Sequence, residues 1–208
     1  ISRYSSMPTV TLVATSCIED GTVGSGAWFN PGDAIDSDLT RASASMQASG
    51  VGWFDVTKYL KFSGPDPFPT PTLGFKNVVD GVEFFVHGFS EDGPLLYGST
   101  HSYSVRLTAS GNVIVGDDAG SGIRVVKDTS NNTDSVGGPT DTWGLDEDML
   151  RLIDGGVIAF TAHSKQSAVY IDNLWLDITY HEELDTNLDA NYNLIRRKAS
   201  FMFVLDDE

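Results

Sequence analysis

The sequence predicts an all-β fold: an antiparallel, jelly-roll-like β-sandwich over residues 9–181, with extended N- and C-terminal arms over 1–8 and 182–208. Three observations predict it. Of 208 residues, 40% are hydrophobic and only 20% charged, which is enough apolar matter for a core. The 21 glycines and scattered Ser, Thr, Asn and Asp punctuate the chain with turns. Between those turns apolar residues alternate, and helical periodicity is scarce.

The first strand is expected at Val10–Ala14 (VTLVA), the next at Ala42–Ala48 and Val56–Phe62. The link Gly64–Pro71 (GPDPFPTP) is studded with prolines, which cannot donate to a ladder, and reads as a rigid loop. In Val78–Phe89, Val82, Phe84 and Val86 share one face and Glu83, Phe85 and His87 the other, while Ser102–Thr108 turns Tyr103, Val105 and Leu107 inward. Gly88–Asp92 (GFSED) begins like a nucleophile elbow but has Asp92 where the second glycine belongs, so it reads as a hairpin loop. A strand at Asn112–Val115 follows the Ser110-Gly111 turn, and Gly116–Gly122 and Asp128–Pro139 read as polar loops.

Leu145, Met149 and Leu152 recur at helical spacing and predict a short helix over Asp146–Asp154, stopped by Gly155-Gly156. Val157–His163 and Ala168–Tyr180 complete the strands. In the second, Ala168, Tyr170, Asp172, Leu174, Leu176, Ile178 and Tyr180 share one parity, which turns Asp172 inward with the leucines and marks the strand as central. A buried carboxylate needs hydrogen-bond partners, so Asp172 is expected to clamp loop amides. Beyond Tyr180 an acidic, Asn-rich stretch leads to Arg196 and Arg197 and then to an apolar run, Ala199–Leu205. Phe201, Met202, Phe203, Val204 and Leu205 would be a hazardous open edge in isolation, so they are expected to contact a neighbouring subunit, with pairing inside the same sheet as the alternative.

Lys+Arg of 13 against Asp+Glu of 29 leaves a net charge of −16, which repels phosphates and anionic headgroups; no nucleic-acid partner is expected. No stretch approaches the roughly 20 apolar residues of a membrane span, and the opening ISRYSSMPTV lacks the order of a signal peptide, so no membrane partner is expected either. The lone Cys17 permits no internal disulfide and reads as a small core residue. His87, His101, His163 and His181 show no metal-ligand spacing, and no nucleophile, base and stabiliser converge, so the chain is not expected to be an enzyme. Asp33, Asp36 and Asp38 are the calcium candidates, with Asp117-Asp118 as a second cluster. They lack EF-hand spacing, and Asx turns at Asn30, Asp33 and Asp36 explain the first cluster without an ion; no metal or other cofactor is expected. Trp175 and Asn173 project from the face opposite Leu174 and Leu176, which suits either sugar stacking or an interface.

The segments WFNPGDAIDSDLTRA (28–42), TKYL (57–60), VVDGVEF (78–84), VRL (105–107), TDTWGL (140–145), Gly156-Val157 and IDNLWLDITY (171–180) occur in this order and together resemble a module of tailed-phage virion structural proteins. The resemblance implies a jelly-roll-like sandwich without catalysis, used in decoration proteins, fibres or spikes. It casts Gly81 and Gly144 as turn residues, Trp143 as core and Asp172 as a clamp. A Pro-rich stretch, Phe62–Gly74, stands where that module carries Gly-Phe-x-Ile-Pro, which marks the loop as specialised. The expected function is that of a capsid decoration (cement) protein in the virion, assembled in the host cytoplasm. It would bridge the major capsid protein and copies of itself as a homotrimer through the C-terminal run and Arg196 and Arg197. The alternative is a carbohydrate-binding tail-fibre or spike module that meets a host glycan through Trp175 and Asn173.

Overall fold

A computed structural model describes residues 7–35, 40–46, 55–92, 102–110, 113–119, 128–162 and 167–186. In chain order the strands are β1 (Thr9–Val13), β2 (Ser16–Asp20), β3 (Trp28–Phe29), β4 (Ala42–Met46), β5 (Asp55–Val56) and β6 (Tyr59–Ser63). They continue with β7 (Phe75–Asp92), β8 (Ser102–Ala109), β9 (Val113–Val115), β10 (Asp128–Gly137), β11 (Ile153–Ala162) and β12 (Ser167–Leu184), and one helical turn, α1 (Glu147–Leu150), precedes β11. The first sheet runs β10-β7-β12-β4-β3 with β1 also on β12; the second runs β2-β6-β11-β8-β9 with β5 also on β11. Every ladder between named strands is antiparallel. The chain crosses repeatedly from one sheet to the other, so the all-β sandwich expected from the alternation is the fold.

The spine of the first sheet is the pairing of β7 with β12, each 18 residues long, from Phe75↔Leu184 to Asp92↔Ser167. On its other edge β12 is met in turn by β4, by Ile35 at Asn173 and by β1, which makes it central along its length. The alternation in β7 holds: Val82, Phe84 and Val86 are buried and Glu83, Phe85 and His87 are not. Leucines and rings from both sheets fill the space between them, with Phe62 of β6 set edge-on to Phe84 of β7 at 5.4 Å. Burying each such side chain contributes about 1.5–3 kcal/mol.

Several expectations are corrected. Asp128–Pro139 is not a loop: its first ten residues form β10, which among the described residues pairs with β7 alone and has the polar composition of an edge strand. GFSED is not a loop; its five residues form the C-terminal end of β7. Val56–Phe62 is split between β5 and β6 at Thr57, whose buried Oγ1 accepts from the Phe160 amide at 3.0 Å in place of a carbonyl. The predicted helix shrinks to one turn capped by Asp146, and it buries Leu150 while Leu152 is 47% exposed. Gly155 and Gly156 do not stop it; they lie inside β11, where a Cβ on Gly156 would sit 2.5 Å from the Phe84 ring. Gly81 is likewise a mid-strand residue rather than a turn, since a Cβ there would meet the Pro139 backbone at 2.4 Å.

Candidate functional site: the outer face of the first sheet

The phase of β12 decides what its outer face carries. Leu174, Leu176 and Ile178 are buried, and so are Val169 and Ile171, which belong to the opposite parity. The two rows are reconciled by an irregularity in the β12–β7 register between Ile171 and Asn173, where Asp172 is the extra residue of a β-bulge. Single parity along Ala168–Tyr180 therefore fails at this point. Tyr170 faces outward, paired with Phe89, and Asp172 is 1% exposed because of the bulge, not because it shares a row with the leucines.

The consequence is a row of rings. Trp175 stacks on Phe85 of β7 with centroids 5.0 Å apart and planes 1° from parallel, and Tyr170 stacks on Phe89 at 4.7 Å and 16°. Such spacings match the distance between neighbouring strands, so the rings stand upright and each pair has its inner faces engaged. The Arg41 guanidinium lies over Phe89 at 5.1 Å, a cation–π contact. On the far side of Tyr170 stands the small Ser43, and beyond Ser43 stands Phe29, 69% exposed. Tyr170 and Phe29 thus flank a slot floored by Ser43. Two strand spacings, about 10 Å, separate the backbones that carry the two rings. Rings standing upright on those two strands would leave between them the width of one saturated ring, since each contact takes about 4 Å.

Polar side chains surround the rings. His87 Nδ1 lies 2.8 Å from Thr133 Oγ1, and its Nε2 lies 3.8 Å from Asp172 Oδ2. Ser135 donates to Glu83 at 2.7 Å and Thr11 to Asp177 at 2.6 Å. Asn173 is on this face, beside His87 across the ladder, with Oδ1 buried and lacking a hydrogen-bond partner.

Of the residues singled out from the sequence, the structure brings Trp175 and Asn173 together on this face. Phe29, Phe85, Phe89, Tyr170 and Arg41 were missed as members of it. Phe201, Met202, Phe203, Val204, Leu205, Arg196 and Arg197 lie outside the described residues, as do Trp53, His101, His163 and the calcium candidates Asp36 and Asp38. Asp33 ends a 3-10 turn, Pro31–Asp33, and its amide donates to the Asn30 carbonyl at 3.0 Å. Asn30 reaches φ 49° without a side-chain cap, so this turn is made by backbone rather than by the expected Asx chemistry. Asp118 accepts from Ser104 Oγ at 2.5 Å and from the Val105 amide at 3.1 Å. Among the described residues no three His, Cys, Asp or Glu side chains are grouped to hold a metal. Trp28 and Trp143 are buried; their indole N–H groups donate to the Lys58 and Val82 carbonyls at 2.8 Å each.

No protein-family model matches the chain, and no curated protein matches it. Among solved structures, the CBM22-1 xylan-binding domain of Paenibacillus barcinonensis Xyn10C is similar at 8% identity and a TM-score of 0.36, over 83% of this chain and 93% of that one. The enzymatically active domain of bacteriophage CBA120 tailspike protein 4 is similar at 12% identity and 0.35, over 84% of this chain and 19% of that one. SGBP-B, from a complex xyloglucan utilization locus of Bacteroides uniformis, is similar at 17% and 0.35, over 81% of this chain and 44% of that one. This chain thus spans less than half the length of the latter two. At these levels the likenesses carry no functional weight, and the fold class stands on the strand pairings.

Proposed function

We propose that the protein is a carbohydrate-binding module whose ligand face is the outer side of the first sheet, centred on the Tyr170–Ser43–Phe29 slot and flanked by Trp175. The single observation that carries this reading is the slot: an exposed ring and a stacked ring on either side of a serine, on a sheet face that also carries polar side chains. A sugar ring has apolar C–H faces that pack on aromatic rings and a rim of hydroxyls that need donors and acceptors beside them. The stacked Tyr170 and the exposed Phe29 supply the first requirement; Ser43 and the surrounding polar side chains supply the second. The reading involves no bond making and no cofactor, and it replaces capsid bridging as the function favoured for this chain.

The test is affinity electrophoresis and column retention on immobilised neutral polysaccharides. Wild-type protein is expected to be retarded on at least one. Phe29→Ala and Tyr170→Ala should each weaken binding by about thirtyfold, the equivalent of a loss of about 2 kcal/mol for a central aromatic anchor. Ser43→Leu should block the slot with the fold intact. Retention unchanged in a variant lacking Phe29, Tyr170 and Trp175 together, or no retention of the wild type on any matrix, would overturn the reading.

A further inference from the structure

Tyr170 and Trp175 are separated by an odd number of positions in β12, and in a regular strand that puts two side chains on opposite faces of the sheet. The extra residue at Asp172 reverses this. Both rings stand on the outer face, each stacked on a phenylalanine of β7, Tyr170 on Phe89 and Trp175 on Phe85. The two phenylalanines are four residues apart in β7, which sets the ring pairs about 13 Å apart along the strands at about 3.3 Å per residue.

The two pairs also look the same way. β7 takes up one side of each β12 ring, and on the other side of β12 lie β4 opposite Tyr170 and β1 opposite Trp175. Tyr170 therefore turns its second face over Ser43, and Trp175 turns its second face over Val13, which is 53% exposed. Between β4 and β1 the bridge from Ile35 to Asn173 continues the pairing, so a backbone floor runs along β12 from Ser43 to Val13. Tyr170 and Phe29 close the slot on its two flanks, so a ligand longer than one ring leaves it along this floor. Between the ring pairs the face carries Asn173 and His87.

Resting on the carbohydrate-binding reading, we propose that the outer face is an extended groove for a straight, equatorially linked glycan running parallel to β12, with one sugar unit on Tyr170 and another on Trp175. A linked pyranose in an extended glycan advances it by about 5 Å, from ordinary bond lengths. The first and third units therefore come within reach of the two rings, while the second passes Asn173. In such a glycan alternate units are flipped, so the first and third present the same C–H face to the wall. An axially linked glycan curves away from a straight floor and loses the second ring.

The experiment is isothermal titration calorimetry of the full chain with the disaccharide and the trisaccharide of cellulose, xylan and mannan, and with maltose and maltotriose as the curved pair. At least one extended trisaccharide is expected to bind about tenfold or more tighter than its disaccharide, and maltotriose to show no such gain. Trp175→Ala should bring the trisaccharide down to the disaccharide and leave the latter unchanged, whereas Phe29→Ala should weaken both alike. Should Trp175→Ala fail to fold, Val13→Trp, which occupies the same ring face from an exposed position, should cancel the gain. A trisaccharide no tighter than its disaccharide, an equal gain for maltotriose, or a gain that survives these variants overturns the extended groove and leaves the slot standing. Failure of every oligosaccharide to bind also overturns the groove, and retention on polysaccharide columns then judges the slot separately.

Discussion

Cys17 sits on β2 opposite Phe62, 5% exposed, and burial pushes its thiol pKa up to about 12. The thiolate is the reactive form, so native protein should react with a chromogenic thiol reagent at least about a hundredfold more slowly than protein in urea. Equal rates would show that the residue is accessible. Trp143 and Gly137 show how one residue fixes another. Trp143 takes φ 55° and is 2% exposed, and its indole reaches the Val82 carbonyl. Gly137, at φ 92°, leaves room for it, because a Cβ there would lie 2.8 Å from the indole nitrogen. At this scale the sequence was informative where chemistry is local: Cys17 as core follows from residue type, and Trp143 as core and Gly144 as a turn residue at φ 68°, which the resemblance implied, hold as well. It was less so for Gly81, Gly155 and Gly156, which are small because of what packs on them from distant segments.

Among the elements, β12 carries the decisive irregularity. Its apolar residues fall in two rows out of phase, Val169 and Ile171 against Leu174, Leu176 and Ile178, and only an extra residue between the rows lets both face the core. That signal was present in the sequence, and reading one parity through it placed Asp172 with the leucines and hid Tyr170 from the candidate site. Deleting Asp172 should force one row of β12 out of the core and lower stability by about 3 kcal/mol or more, measured by urea denaturation, with loss of the Tyr170–Phe89 stack from near-ultraviolet circular dichroism. A near-unchanged midpoint would remove the bulge from its role. Edge strands were the other blind spot. Among the described residues β2 and β10 pair on one side only, and their sequences (SCIED and DTSNNTDSVG) hold too few apolar residues to announce a strand.

For the whole molecule, acid stability follows from carboxylates held by hydrogen bonds, most of them from segments elsewhere in the chain. Glu19 is held below the usual carboxylate range by its hydrogen bond to Lys58 and then by the Trp28 amide, Asp20 by the Thr22 amide, Glu147 by Lys76 and Glu182 by the Thr72 amide. A carboxylate whose folded pKa is depressed contributes stability above its ordinary pKa, 4.5 for Glu and 3.8 for Asp, and loses it as pH falls through the folded value. The Lys76 pKa is raised by Glu147 and Glu183, so its contribution is present below the ordinary 10.5 and is lost as pH rises through the raised value. These groups keep part of their surface in solvent, and screening keeps each term small. The urea midpoint should therefore stay level from neutral pH to about pH 5 and decline below about pH 4; a midpoint that rose with acidification would contradict this. The sequence by itself determined the class of fold, the two-faced strands and the acidic surface, because alternation and composition are properties of neighbouring residues. Only the tertiary structure decided which strands adjoin, where the bulge resets the phase of β12, and hence that Phe29, Ser43 and Tyr170 stand side by side. Those outcomes depend on hydrogen-bonded pairing between residues far apart in the chain, 83 positions between Gly88 and Ile171 and 127 between Ser43 and Tyr170, and no local pattern encodes a partner at that distance.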